Sequence, residues 1–288
     1  MTRIIYVNGR YVPYADAAVH AEDRGFQFAD AVYEVCEVQR GRLVDEARHV
    51  TRLWRSLSEI GISRPMSATA LGLVMRQTIK RNRVSNGLVY LHVTRGEGIR
   101  DFHFPNPKTT PPTLVCLARR LDPAKVAARA SAGISVKTMP DNRWGRCDLK
   151  TVMLLPACLA KDAARQAGAQ EAWFVDAKGF VTEGAASNAW IIDANGTLIT
   201  RPLDHGILAG VTRATALDAV KVLHLRLDER AFTVDEATAA SEAFITSASG
   251  TVMPVVKING HTLGNGKPGA KTLLLREKFH HVAQLSNK

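Results

Sequence analysis

A mixed α/β (α+β) fold in two domains is what this sequence predicts, and three observations carry that reading. Strand-like and helix-like hydrophobic patterns alternate along the chain. The 288 residues, 46% hydrophobic, suffice for one large core or two modest ones. An Ala- and Lys-containing stretch after Leu121-Asp122-Pro123 reads as a connection between two halves. The expected organisation is a small domain over 1–121, a linker over 122–133 and a larger domain over 134–288, with a cleft between the domains.

The first element is a hairpin, since Ile4–Val7 and Tyr11-Val12 flank the turn pair Asn8-Gly9. A second extended run, Ala31 to Val38, ends at Gly41. Val50, Leu53, Trp54, Leu57 and Ile60 then recur at helical spacing. Leu71, Val74, Met75, Thr78 and Ile79 repeat the pattern before Asn86-Gly87. Strands over 88–94 and 113–118 flank a Gly- and Pro-rich loop, 96–112, long enough to be read as functional. In the second half, strands are expected over 134–138, 171–176, 189–192, 197–200, 243–247 and 252–258. Helices fit 151–167, 212–223 and 270–285.

Composition excludes several classes. The apolar runs are far shorter than the roughly 20 residues that cross a bilayer. The start moves straight into strand-like alternation without a secretory pattern, so the expected compartment is the cytoplasm. Cys36, Cys116, Cys147 and Cys158 show no metal-ligand spacing and read as buried free thiols. The net charge of +11 raises a nucleic-acid-binding protein as a rival from another class. The basic residues are dispersed, however, and attraction of small anions accounts for the charge equally well.

Four segments are suited to chemistry. Asp141-Asn142-Arg143-Trp144-Gly145-Arg146-Cys147-Asp148-Leu149-Lys150 puts a lysine among mixed charges, just before an expected helix, where an amine can act as a nucleophile. Val181-Thr182-Glu183-Gly184-Ala185-Ala186-Ser187-Asn188 follows a carboxylate with small residues that let a planar ligand approach the backbone. A glutamate facing a pyridine nitrogen keeps that ring protonated and able to accept electrons. Leu208-Ala209-Gly210-Val211-Thr212-Arg213 opens a helix whose N–H groups suit a phosphate, and Thr246-Ser247-Ala248-Ser249-Gly250-Thr251 adds hydroxyls and backbone donors. Taken one at a time, these are also an ordinary solvated lysine, a turn glutamate, a helix start and a polar turn.

Together and in this order, the four segments resemble the cofactor-binding segments of fold type IV pyridoxal-phosphate-dependent aminotransferases. The resemblance runs from about residue 4 to residue 260. Arg143-Trp144-x-Arg146-Cys147-Asp148-x-Lys150 and the early Glu22-Asp23-Arg24-Gly25-Phe26-Gln27-Phe28-Ala29-Asp30-Ala31-Val32-Tyr33-Glu34-Val35 are most similar to the D-amino acid transaminase subfamily.

That resemblance implies a small N-terminal α/β domain, a larger domain with a mixed sheet or pseudo-barrel, and pyridoxal 5'-phosphate at the domain interface. Lys150 matches the Schiff-base lysine, which is also the proton carrier. Glu183 matches the partner of the pyridine nitrogen, and Leu208 a residue packed on the ring. Arg52, Val211, Thr212, Ala248 and Ser249 match phosphate contacts, and Ser187 a hydroxyl near cofactor and substrate. Tyr33 matches an active-site tyrosine, although a core tyrosine also fits an alternating strand.

Arg100 matches the arginine of the substrate-carboxylate trap. Phe102 stands where the best-known members carry histidine, and His103 lies one position further on. The implied reaction is ping-pong transamination of D-alanine with 2-oxoglutarate by a homodimer acting on amino acids and 2-oxo acids, without nucleic acid or membrane. Branched-chain L-amino acid transaminases, (R)-amine transaminases and aminodeoxychorismate lyases share the cofactor and remain the alternatives.

Overall fold

The structure is a computed structural model that describes residues 3–286. It divides into two compact units. Unit 1 takes the chain up to Asp122, together with Leu149–Met153 and the C-terminal end from Gln284; unit 2 takes Pro123–Asp148 and Leu154–Ala283.

Unit 1 opens with β1 (Ile4–Val7) and β2 (Arg10–Pro13). They are joined by Asn8 and Gly9 with φ of 42° and 89°, the left-handed pair that a tight two-residue hairpin requires. There follow α1 (Arg24–Phe28), β3 (Ala31–Gln39), β4 (Arg42–Leu43), α2 (Glu46–Glu59), α3 (Ala68–Arg81), β5 (Gly87–Thr94) and β6 (Leu114–Arg120). The six strands form one antiparallel sheet in the order β2-β1-β6-β5-β3-β4.

Alternation along β3 and β5 sends Val32, Cys36, Val38, Val89, Leu91 and Val93 to one face. There they form a core with Leu53 and Leu57 of α2 and Leu71 and Met75 of α3. Tyr33, Tyr90 and His92 belong to the opposite alternation. Ser67 caps α3 by accepting from the Ala70 N–H at 3.2 Å.

Unit 2 comprises α4 (Pro123–Ala132), β7 (Ile134–Pro140), α5 (Leu155–Gln166), β8 (Glu171–Val175), β9 (Val181–Gly184), β10 (Asn188–Ile192) and β11 (Leu198–Thr200). It continues with α6 (Val211–Val222), β12 (Leu227–Glu229), α7 (Val234–Ala239), β13 (Glu242–Ser247), β14 (Thr251–Ile258), β15 (His261–Thr262) and α8 (Ala270–Val282). Its mixed sheet runs β12-β11-β10-β13-β14-β7-β8-β9, with β15 on β14. The pairs β11/β12, β14/β7 and β7/β8 are parallel.

Three local differences from the sequence expectation have physical causes. Residues 122–133, expected as a linker, contain helix α4, because Pro123 suits a first helical position and the alanines that follow favour helix. Its Ala130 is buried in the core with Ile134 and Val136. The helix expected from Thr151 starts at Leu155, with Pro156 in its first turn, and the residue before a proline resists helix in any earlier start. Instead, residues 150–152 are extended along β3, so Lys150 does not stand directly before a helix. Finally, Cys36 and Cys116 are buried as expected, but Cys147 is only half-buried and Cys158 is exposed.

Candidate functional site

In unit 1, Lys150 is fixed by backbone pairing. Its carbonyl accepts from the Tyr33 N–H at 2.9 Å, Val152 N–H donates to the Ala31 carbonyl at 3.2 Å, and Thr151 bridges Val32. This brings two residues assigned from sequence together: the Lys150 Nζ lies 4.2 Å from the centroid of the Tyr33 ring. A cation over an aromatic face is attracted to it, so Tyr33 holds the amine end of a long side chain that would otherwise range over many rotamers.

Arg52 is drawn to the other alternation of β3. From α2 it donates to both oxygens of Glu34, Nε to Oε1 at 2.7 Å and Nη2 to Oε2 at 2.8 Å. His49, one turn earlier, meets Glu34 Oε2 at 2.7 Å. All three side chains are buried. Burial works against the Glu34 charge, but Arg52 and His49 outweigh it and hold the carboxyl well below the usual carboxylate range. Burial likewise opposes the Arg52 charge, and Glu34 outweighs it and raises the guanidinium above its ordinary value.

Arg100 and His103 sit on the 96–112 loop. Arg100 is exposed, its guanidinium 5.1 Å from the Phe28 ring centroid. The His103 side chain is 93% exposed and pairs with its neighbour Asp101 at 3.2 Å. Phe102 is 80% exposed, its ring 5.7 Å from that of Phe28. The loop is anchored from below: buried Arg24 donates to the Asp101 carbonyl at 2.6 Å, and buried Arg95 lies 3.8 Å from the Phe104 centroid.

In unit 2, Glu183 on β9 is 5% exposed. Its Oε1 accepts from Arg143 Nη1 at 2.5 Å, and its Oε2 accepts from Asn188 Nδ2 and the Leu208 N–H, both at 3.0 Å. Arg143 is itself fixed by Asp141, through Nε–Oδ1 at 2.9 Å and Nη2–Oδ2 at 2.7 Å, and lies 4.5 Å from the Phe174 ring centroid. Burial opposes the Arg143 charge, but the hydrogen bonds of Asp141 and the charges of Glu183 and Asp141 prevail and raise the guanidinium above its ordinary value.

Asn188 ties this carboxylate to the remaining segments. Its Nδ2 also donates to the Leu208 carbonyl at 3.0 Å, and it stands opposite Thr246 across β10 and β13. A Cβ at Gly210 would collide with Asn188 Oδ1, so only glycine lets the start of α6 come this close. Gly210 is the N-cap of α6 and supplies no side-chain cap, which leaves the N–H groups around Val211 and Thr212 available to an anion.

Ala248 and Ser249 occupy the turn between β13 and β14. Arg276 holds that turn from α8, donating to the Gly250 and Val252 carbonyls, each at 2.6 Å. Ser187 is buried and donates to Glu171 Oε2 at 3.2 Å. Register sets Ser187 beside the turn of Ala248 and Ser249 at the ends of β10 and β13, and Asn188 brings Leu208 and the start of α6, with Val211 and Thr212, to the same end.

Sequence reading missed the partners. Arg143 and Asp141 lay inside a quoted motif, and their alternating charges were the available signal. Glu34 was a charged residue on the apolar alternation of β3, and that mismatch was a sign of a buried ion pair.

Comparison with known proteins places the chain in a family. The family described as amino-transferase class IV matches residues 31–258. The chain is 37% identical to a D-alanine aminotransferase of Bacillus licheniformis over 268 residues, covering 93% of each, and 36% identical to one of Staphylococcus haemolyticus, covering 97% of each. Among solved structures, a branched-chain aminotransferase from the archaeon Thermoproteus uzoniensis superposes with a TM-score of 0.86 at 23% identity, over 98% of this chain and 94% of that one. A branched-chain amino acid aminotransferase from Escherichia coli gives 0.85 at 21%, over 97% and 94%. At that identity the structural likeness speaks for the fold alone. The profile match and the near-full-length relatives speak for the family: the chain belongs to the class IV aminotransferases.

Proposed function

We propose that this aminotransferase moves the amino group of D-amino acids by a ping-pong route: D-alanine and 2-oxoglutarate give pyruvate and D-glutamate. The observation that carries the reading is the buried Glu183 carboxylate, held at three points by Arg143, Asn188 and Leu208. A charge buried and oriented at such cost is suited to a cationic ring nitrogen. The names of the relatives support D-alanine as the donor.

The residues present fit pyridoxal 5'-phosphate. The glycine approach at Gly210 and the uncapped start of α6 suit its phosphate, with Ala248 and Ser249 as further contacts, and Glu183 suits its pyridine nitrogen. When bound, the cofactor draws electrons away from the substrate Cα and so acidifies the bond to its hydrogen.

The chain's own groups do the rest. Lys150 supplies the tethering amine and carries the proton from Cα to the cofactor's C4' carbon, with Tyr33 restraining its Nζ. Leu208 packs the ring while its N–H orients Glu183. Ser187 offers a hydroxyl to cofactor and substrate. Arg100, with His103, receives the substrate carboxylate, and a second copy of the chain in a homodimer completes the site. Among the described residues no helix is long and apolar enough to cross a membrane. The reading is of a cytoplasmic enzyme acting on small substrates.

An absorption spectrum of the purified protein tests the reading. The expected result is a visible band that D-alanine discharges and 2-oxoglutarate restores, with L-alanine inert and Lys150→Ala lowering turnover by about 10³-fold or more. A Lys150→Ala variant with intact turnover overturns the reading. Discharge by L-leucine or (R)-1-phenylethylamine instead of D-alanine transfers it to a related activity.

A further inference from the structure

Behind Tyr33, strand β5 carries a second pair of polar rings. In the antiparallel register of β3 and β5, His92 stands opposite Tyr33 and Tyr90 opposite Val35, which puts these side chains on one sheet face. The Tyr90 hydroxyl lies 3.0 Å from His92 Nδ1. The Tyr90 and Tyr33 ring centroids are 5.7 Å apart, and the Tyr33 ring is the one that holds Lys150 Nζ at 4.2 Å. An unbroken chain of contacts therefore runs from His92 through Tyr90 and Tyr33 to Lys150.

The protonation of the pair follows from its surroundings. Burial pushes the Tyr90 hydroxyl up to about 12, with Tyr33 adding to the effect, so it keeps its proton. Burial lowers His92, against an opposing pull from Asp23, so the imidazole is neutral. The second ring nitrogen, Nε2, is buried and has no hydrogen-bond partner among the described residues. If Nδ1 donated to Tyr90, both the phenol proton and the Nε2 lone pair would be left without partners. If Tyr90 donates to Nδ1, only the Nε2–H is unmatched, so this assignment is the better satisfied one.

A pair that leaves a buried polar atom unmatched adds little to stability. Apolar groups of similar shape would fill the same space at no loss.

We infer that His92 is a positioning residue for the amine: acting through the Tyr90 hydroxyl, it fixes the Tyr33 ring against Lys150 and thereby sets how the Nζ is presented. The inference rests on the reading of Lys150 as the tethering amine. It needs no contact between His92 and substrate.

Four variants test it: His92→Leu, His92→Asn, Tyr90→Phe and the Tyr90→Phe/His92→Leu double. The readouts are thermal unfolding, the rate at which the cofactor-free full chain captures pyridoxal 5'-phosphate, and the pH midpoint of the visible band after capture. In capture, the Nζ–carbon bond forms and water leaves. His92→Leu and Tyr90→Phe are expected to leave the unfolding midpoint unchanged or raised, to slow capture about three- to tenfold, and to move the pH midpoint. His92→Asn, whose amide places a polar atom near the Nδ1 position, is expected to restore capture to within about twofold. The double variant is expected to lose no more than either single one, because both break the same link.

Capture and pH midpoint unchanged in His92→Leu and Tyr90→Phe overturn the inference. So does a capture loss that follows a fall in unfolding midpoint, or a double variant whose losses multiply. Lys150→Ala serves as the control. If it still forms the visible band, the functional reading fails. If it abolishes the band while the His92 variants behave as wild type, only the present inference fails.

Discussion

Glu183 and Arg100 are both charged groups proposed for small-molecule binding, and the chain treats them in opposite ways. Glu183 is buried in unit 2 with Arg143, Asn188 and Leu208 on its two oxygens. Arg100 is exposed on a loop of unit 1, with a ring of Phe28 beneath it. A group that meets the cofactor does the same work in every turnover, and fixing it in advance removes reorganisation from the reaction. A group that selects substrates sits on a loop, where specificity is adjustable without disturbing the core. Unit 1 follows the same division internally: Arg52 is locked to buried Glu34, while Arg100 and His103 face solvent.

The most severe test of that division is Glu34→Gln. It withdraws the carboxylate charge that faces the buried Arg52 guanidinium, and breaking a buried ion pair in this way costs about 3–5 kcal/mol of stability. Urea unfolding of both proteins measures it. A loss under about 1 kcal/mol would show that Arg52 is not locked in this way.

pH gives an independent reading of the same pair. The folded-state pKa of Glu34 lies below its ordinary value of 4.5, so the stabilisation is fully present above that value and is lost as pH falls below it. Glu34→Gln should therefore remove part of the acid sensitivity of the wild-type protein. An identical acid slope in the two proteins would contradict the assignment.

Glu183→Gln comes next. The amide keeps the shape but withdraws the negative charge, and kcat is expected to fall about 10²-fold with the fold intact by circular dichroism. If kcat stays within about threefold of wild type, the buried carboxylate is structural and the contrast with Arg100 loses one side.

How far the sequence exposed these features depended on how local they were. The Asn8-Gly9 hairpin, the helical spacing of Leu53 and Leu57 and the strands around Tyr33 rest on neighbours in the chain, and the structure keeps them. The start of α5 was misread because the pairing of residues 150–152 with β3 is a long-range contact that competes with local helix propensity. The segments holding Glu183, Gly210 and Ser249 were legible as a set of motifs. The partner role of Arg143 was not, since a hydrogen bond across 40 residues leaves no spacing rule to read, and that of Asn188, five residues from Glu183, depends on how the chain turns between β9 and β10. The tyrosine–histidine pair on β5 was hidden for a related reason: without strand register, nothing sets His92 opposite Tyr33.

On the loop side the expected effects are smaller. Arg100→Met should raise KM for D-alanine about tenfold while leaving kcat within about threefold, because an exposed arginine binds the carboxylate in ground and transition states alike. An amine without a carboxylate should show no change. Equal effects on both substrates would mean that Arg100 supports the loop through Phe28 and takes no part in carboxylate recognition.

The smallest effect is expected at His103. Its ring is exposed and its described partner is Asp101, two residues earlier, whose carboxyl is held below its ordinary range first by the His103 backbone N–H and then by the ring. A side chain already engaged by a neighbour and solvated on most of its surface has one hydrogen bond to offer a substrate. His103→Ala should therefore raise KM for D-alanine only about two- to threefold, with kcat unchanged. Measured beside Arg100→Met, it ranks the two loop residues. A His103→Ala effect as large as that of Arg100→Met would mean that the ring is drawn out of its pairing with Asp101 when substrate binds. That result would make the loop a recognition element assembled by its ligand, in sharper contrast with a Glu183 held at three points by the protein's own groups.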